Sequence, residues 1–136
     1  MRVFEARLQV QWADVDVAGI MYFAAYSRFA EYAEMQLFAD LGFPYESVFT
    51  EYGFWLPRIH VEAKYRAPAL MSDWLTMRTH VERVGDSSLR WKTVFVNERS
   101  GDPGAEINVI VVAIDAETKK SRPIPEPLRT ALLACV

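Results

Sequence analysis

The chain has 136 residues, enough for one domain with a real core and too few for two. Its 15 Lys and Arg against 18 Asp and Glu leave a net charge of −3, which argues against a nucleic-acid footprint or a polybasic membrane patch. No apolar run approaches the ~20 residues that span a bilayer, the opening MRVFEARLQV lacks a signal-peptide core, and the single Cys135 cannot form an internal disulfide; a cytoplasmic protein is expected.

Residues 3 to 12 alternate, with Phe4, Ala6, Leu8, Val10 and Trp12 on one side and Glu5, Arg7, Gln9 and Gln11 on the other, as in a half-buried strand. The loop 13 to 20 carries two acids, Asp14 and Asp16, and Gly19, which can take the backbone angles of a sharp turn. From Met21 to Leu41 apolar residues recur at three- and four-residue steps. They cover so much of the circumference that the helix should be wrapped by other structure. Gly42 and Pro44 end it, and a short helical turn is expected over 44 to 51.

Trp55 to Ala67 alternates most clearly. It places Pro57, Ile59, Val61, Ala63 and Tyr65 on one face and Arg58, His60, Glu62, Lys64 and Arg66 on the other. Further strands are read over 73 to 84 and 89 to 98, joined by the turn Gly85-Asp86-Ser87-Ser88. The last, over 105 to 115, is apolar on both faces as if covered on each side. Pro123, Pro125 and Pro127 form a stiff connector to a short terminal helix over 128 to 134. Short turns imply antiparallel neighbours, and the long helix must cover one face of the sheet, so the fold class is α+β in a single domain over 1 to 136.

The junction 12 to 26, WADVDVAGIMYFAAY, sets two carboxylates before an apolar helix. A helix start is electropositive and presents unpaired N–H groups, so it can hold an acid or polarise an oxygen. Taken alone, Asp14 and Asp16 are better read as capping a turn or the helix than as chemistry. Tyr22 and Tyr26 fit a core or pocket wall, and Glu31 fits a pairing with Arg28. His60 and His80 lie mid-strand on polar faces. There is no nucleophile elbow, Walker loop, dinucleotide turn or Cys/His metal spacing, so neither a metal nor a bound redox cofactor is implied.

The order of elements and the stretch D-x-D-x-x-G-x-x-Y-F-x-x-Y resemble the hot-dog fold thioesterases of the 4-hydroxybenzoyl-CoA thioesterase type. The run Lys64, Tyr65, Pro68, Asp73, Leu75 and the R-V-G-x-S-S turn from Arg83 to Ser88 add to the resemblance, which covers almost the whole chain. It implies a curved five-stranded antiparallel sheet wrapped around one long central helix. It also implies homodimers joined edge to edge, often paired again into tetramers, with active sites at the subunit interface. The substrate would be an acyl- or aroyl-CoA, with coenzyme A entering only as part of it.

Carried onto this sequence, the essential carboxylate corresponds to Asp16, acting as nucleophile or general base, and the oxyanion donor to the backbone N–H of Phe23. Gly19, Tyr22 and Tyr26 would line the substrate site. Arg83, Ser87, Ser88, Arg90 and Lys92 would meet the phosphates of coenzyme A, and Arg58, Lys64 and Arg66 would serve the interface. Glu31 and Glu34 stand as alternative helix acids. The Tol-Pal-associated branch has a histidine after the motif tyrosine, whereas here Phe23 follows Tyr22, so a donor acting through its backbone suits this chain. Competing expectations are a carrier-protein thioesterase, a dehydratase of the same fold (disfavoured, because no histidine lies beside the helix), and a non-catalytic acyl-CoA-binding dimer.

Overall fold

A computed structural model of the chain describes all 136 residues. Strand β1 spans Phe4–Gln9 and is followed by a 3-10 turn, Trp12–Asp14, and helix α1, Phe23–Asp40. Then come α2 (Tyr45–Tyr52), β2 (Phe54–Trp55), β3 (Arg58–Tyr65), β4 (Trp74–Val84), β5 (Ser88–Asn97), β6 (Pro103–Val112), β7 (Ile114–Asp115) and α3 (Glu126–Leu133). The five longer strands form one antiparallel sheet in the order β1-β4-β5-β6-β3, and β2 pairs with β7 in a separate two-stranded ladder.

Alternation along β4 and β5 puts Leu75, Met77, Val81, Leu89, Trp91 and Phe95 on the face that meets α1. Helix α1 answers with Ala25, Tyr26, Phe29, Ala30, Ala33, Leu37 and Phe38, all buried. The small residues at 25, 30 and 33 let the helix lie close to the sheet. A polar pair within the sheet's inner face, Thr79 and Thr93, joins hydroxyl to hydroxyl at 2.8 Å, which satisfies both groups.

Three expectations change. The turn expected over 44 to 51 is a full helix of eight residues, α2, and with α3 it makes three helices where the resemblance implies one long central one. Nor is α1 wrapped on every side. The sheet covers one face, while Phe23, Ala24, Ser27, Arg28 and Glu31 are exposed, because nothing in this chain reaches past the outer side of its first turns. Finally, a bulge between Arg58 and His60 slips the register of β3. Arg58 therefore pairs with Val111, whose side chain is in the core, and shares the inner face with Val61, Ala63 and Tyr65, contrary to simple alternation.

Strand β6, apolar on both faces, is covered on one. Its other face carries the half-buried Asn108 and Ile110 beside Glu106, which is bound by Lys92 at 2.6 Å and Arg66 at 2.8 Å. Those two cations hold the Glu106 carboxyl down at a pKa of about 2. Strand β3 closes one side of the sheet and hydrogen-bonds only to β6. Nearly all its residues are exposed, including Ile59, Val61 and Tyr65. A free, eight-residue edge that bares Ile59, Val61 and Tyr65 is a ready template for pairing with another strand.

Candidate active site

The loop between β1 and α1 is a small hairpin. The Asp16 N–H donates to the Ile20 carbonyl at 3.0 Å, the Tyr22 N–H to the Asp14 carbonyl at 3.1 Å, and the Gly19 N–H to the Asp16 carbonyl at 3.0 Å. Gly19 sits at φ +74° in the left-handed region, which the turn requires. The hairpin then docks onto residues 69 to 71: Met21 N–H donates to the Ala69 carbonyl at 2.8 Å, and Ile20 bridges Leu70. Its base, where Tyr22 pairs with Asp14, leads into α1, and its tip meets Met71, whose N–H donates to the Gly19 carbonyl at 3.4 Å.

The two acids part company here. Asp14 is buried; one carboxylate oxygen accepts the Gln11 N–H at 2.8 Å and the other binds the Arg28 guanidinium. It anchors the loop to the second turn of α1. Asp16 is exposed, enters no ion pair, and one oxygen accepts the Ala18 N–H at 2.9 Å. Its second oxygen is available for chemistry. Because Arg28 takes Asp14, the expected Glu31–Arg28 pair is not made.

Phe23 opens α1, so its N–H has no acceptor within the helix. No side chain caps this end. The Phe23 ring is 73% exposed, which leaves the backbone as the polar group it offers. Asp16 lines a depression with Trp12, Val15, Val17, Gly19 and Met71, while Phe23 lines another with Ile20, Met21, Tyr26, Tyr65, Arg66, Ala67 and Pro68. In the single chain the carboxylate and the donor thus face separate depressions, both walled by exposed apolar side chains. Tyr26 is buried, and burial pushes its phenol above the ordinary value; Tyr22 is partly exposed.

The residues proposed for phosphate contact lie elsewhere. The helix start sits at the sheet end marked by Gln9, Trp74, Asn97 and Tyr65. The turn 83 to 88 lies at the opposite end of β4, an 11-residue strand and so roughly 30 Å away. There Arg83 enters no ion pair, and Ser87 and Ser88 are half-buried. Arg90 is held by Glu82 at 2.7 Å and Lys92 by Glu106. Of the cations assigned to the interface, Arg66 binds Glu106, Lys64 lies 3.7 Å from Glu62, and Arg58 turns inward.

Two clusters escaped sequence reasoning. Glu34, one of the two alternative helix acids, is buried with the Tyr45 hydroxyl on one oxygen and the Arg58 guanidinium on the other. Burial raises its pKa against the opposing pull of Arg58 and Tyr45. With both oxygens engaged, it serves as a tie between α1, α2 and β3. Asp73 accepts from Leu70 N–H at 2.9 Å, Asn97 Nδ2 at 2.9 Å and the Arg99 guanidinium at 3.0 Å. Arg99 foremost draws the Asp73 pKa down to about 2. This clamp fixes the 69 to 73 segment on which the Asp16 hairpin docks. Asp73 stood in the family-like run, but partners 24 and 26 residues away leave no mark in a local pattern.

The sequence profile described as the thioesterase-like superfamily matches residues 10–132. The chain belongs to that superfamily. It is 25% identical over 130 residues to the 1,4-dihydroxy-2-naphthoyl-CoA hydrolase of Synechococcus elongatus, covering 95% of this chain and 94% of that one. It is 28% identical over 127 residues to the acyl-CoA thioester hydrolase YbgC of Escherichia coli, at 93% and 92% coverage. The fold superimposes with a TM-score of 0.89 on Slr0204, a 1,4-dihydroxy-2-naphthoyl-CoA thioesterase from Synechocystis, at 23% identity and 97% and 96% coverage.

Proposed function

We propose that this protein hydrolyses the thioester of an acyl- or aroyl-CoA to the free acid and coenzyme A. The observation that carries this reading is the unpaired Asp16 carboxylate, carried on the hairpin that leads into the uncapped start of α1. The full-length relatives, both named as CoA-thioester hydrolases, support it.

In this mechanism the thioester carbonyl oxygen accepts the Phe23 N–H at the positive end of the helix. As the carbonyl carbon becomes tetrahedral, charge grows on that oxygen; a preorganised donor of this kind is worth about 3 kcal/mol. Asp16 then either attacks the carbon, giving an anhydride that water opens, or takes a proton from the attacking water. Both routes release the coenzyme A thiol and need only water besides the thioester. Asp14 holds the loop through Arg28 and does not touch the reacting atoms.

The bare edge β3 supports a homodimer in which β3 pairs with its copy. A two-fold axis across antiparallel edges would carry the far end of one sheet beside the near end of the other. Arg83 of the partner subunit would then reach the phosphates of a thioester held at this subunit's helix start. Ser87 and Ser88 lie on the same turn, whereas Arg90 and Lys92, already paired with carboxylates, contribute less. The same pairing would cover the outer side of α1 and join the two depressions into one cleft. A further pairing of dimers into tetramers belongs to the same expectation.

The test is release of free thiol from short, long and aromatic acyl-CoA thioesters; no release from any of them overturns the reading. Val61→Lys, on the inner face of β3, should yield a folded monomer by sedimentation that has lost turnover. An active monomer would remove the interface from the mechanism.

A further inference from the structure

The segment 69 to 73, on which the Asp16 hairpin docks, is held by polar contacts far more than by packing. Of the side chains at 69 to 72 only Ala69 is buried, and it borders a cavity of about 260 Å³ beneath Tyr26. Ser72 lies at φ +74°, a left-handed conformation that a residue with a Cβ adopts when its surroundings impose it. Its N–H donates to the Val10 carbonyl and the Val10 N–H to the Asp73 carbonyl, each at 2.8 Å. The Asp73 carboxylate then accepts the Leu70 N–H and Asn97 Nδ2, both at 2.9 Å, and two guanidinium nitrogens of Arg99 at 3.0 and 3.1 Å. Asn97 Oδ1 accepts the Arg99 N–H at 2.9 Å, which fixes the root of the arginine.

We propose that Arg99, reaching across from the β5–β6 turn, is a positioning residue for thioester hydrolysis. Through Asp73 it sets the 69 to 73 segment, and through that segment the place of the Asp16 carboxylate relative to the Phe23 N–H. The inference rests on the thioesterase reading for the role of Asp16. The route from Arg99 to Asp16 is short and polar throughout. Asp14 and Arg28 hold one side of the hairpin. The segment holds the other side and the tip, through Met21 N–H to the Ala69 carbonyl, the bridge from Ile20 to Leu70, and Met71 N–H to the Gly19 carbonyl. The bonds inside the hairpin keep its shape but do not fix where it sits on the body of the protein. The Arg99 fork meets Asp73 with two nitrogens side by side, which orients the carboxylate as well as attracting it. The Arg99 side chain is 57% exposed, and an exposed ion pair adds little to stability, so what this one contributes is geometry. An adjacent pair shows the contrast. Arg7 binds Glu98 through two nitrogens at 2.7 and 3.0 Å, but it ties β1 to the end of β5 and bonds to nothing in 69 to 73.

The experiment compares the full-length wild type with Arg99→Gln, Arg99→Lys and, as the matched control, Arg7→Gln. Two readouts are followed: kcat and KM on the CoA thioester that the wild type cleaves fastest, and amide hydrogen exchange at Met21, whose bond to Ala69 docks the hairpin. An error of about 1 Å in the place of a reacting group costs about 100-fold in rate, and loosening one tie of a folded hairpin should cost less. Arg99→Gln should lower kcat about ten-fold while KM moves less than about two-fold, and exchange at Met21 should speed up about ten-fold. Arg99→Lys should recover part of kcat, since an ammonium keeps the charge but cannot span both carboxylate oxygens. Arg7→Gln should match the wild type in both readouts. An unchanged kcat in Arg99→Gln, a loss carried by KM, or an equal fall in Arg7→Gln would overturn the positioning role and leave the thioesterase reading intact. A wild type that cleaves no thioester would overturn that reading, and exchange then decides the clamp by itself. Faster exchange at Met21 in Arg99→Gln alone would keep Arg99 as the residue that seats the hairpin, and equal exchange in every form would remove it.

Discussion

The two ends of the sheet are finished in opposite ways. At the far end α3 folds back and buries Leu128 and Leu132 completely. Arg129 Nε donates to the Gly85 carbonyl at 2.8 Å, and the Ile124 N–H donates to the Asp86 carbonyl at 2.8 Å. At the near end Trp12 is 81% exposed and Phe23 73%, around a carboxylate with a free oxygen. The same chain that closes one end with apolar side chains leaves larger ones bare at the other. Burying a side chain of this size is worth about 2 kcal/mol, so an uncovered Trp and Phe beside a helix start mark a surface shaped for something outside the single chain. The far end is closed by packing within the chain, and the near end is left open around the candidate carboxylate.

This division can be broken from either side. The largest effect is expected from Asp16→Asn. Asparagine keeps an oxygen for the Ala18 N–H, so the hairpin should survive while turnover falls about 10³-fold. Thiol release with circular dichroism as control decides it, and retained turnover would take the chemistry away from Asp16. The converse change is Leu128→Ala, which empties a fully buried position at the far end. It should cost about 3 kcal/mol, lowering Tm by roughly 10 °C, with kcat unaltered below the transition.

Gly19→Ala probes the near end more gently. A Cβ there would meet nothing within 4 Å, so the cost is the left-handed backbone alone, about 1 kcal/mol. Denaturant midpoints should register it, and a shift in kcat without one in KM would place the strain in the Asp16 hairpin. The smallest effect concerns acid. Asp73 and Glu106 both have pKa values drawn down to about 2 by their cationic partners. A carboxylate whose folded value lies below its unfolded one adds stability that is complete above about pH 4.5 and is lost as pH falls toward 2. Asp73→Asn should flatten that part of the stability–pH curve, which denaturant titrations between pH 5 and 2 would show.

Much of this was legible in the residues because it depends on short-range periodicity. Alternation from Phe4 to Gln9 and from Trp74 to Val84, the helical steps after Met21 and the turn at 85 to 88 specify the elements, and short connections specify antiparallel neighbours; the alternation that runs on to Trp12 does not, since the strand ends at Gln9 and Trp12 stands exposed in a 3-10 turn. The terminal helix was legible too, from the apolar run after Pro127. The D-x-D-x-x-G pattern drew attention to the junction before α1, since two acids ahead of an apolar helix are visible in any reading. What it could not separate was the buried Asp14 from the exposed Asp16 by burial, because that depends on Arg28 coming back across 14 residues.

The sequence by itself determined the elements, their antiparallel order and the acid-before-helix junction, all consequences of backbone sterics and of which faces must leave water. Only the tertiary structure decided the rest. The bulge that turns Arg58 inward to Glu34 depends on register with β6. The Asp73 clamp joins residues 24 and 26 positions apart, and the cavity under Tyr26 is empty space left between α1, β4, β5 and β6. Such features arise from the meeting of separate surfaces, and a chain read residue by residue carries no record of the gap between them.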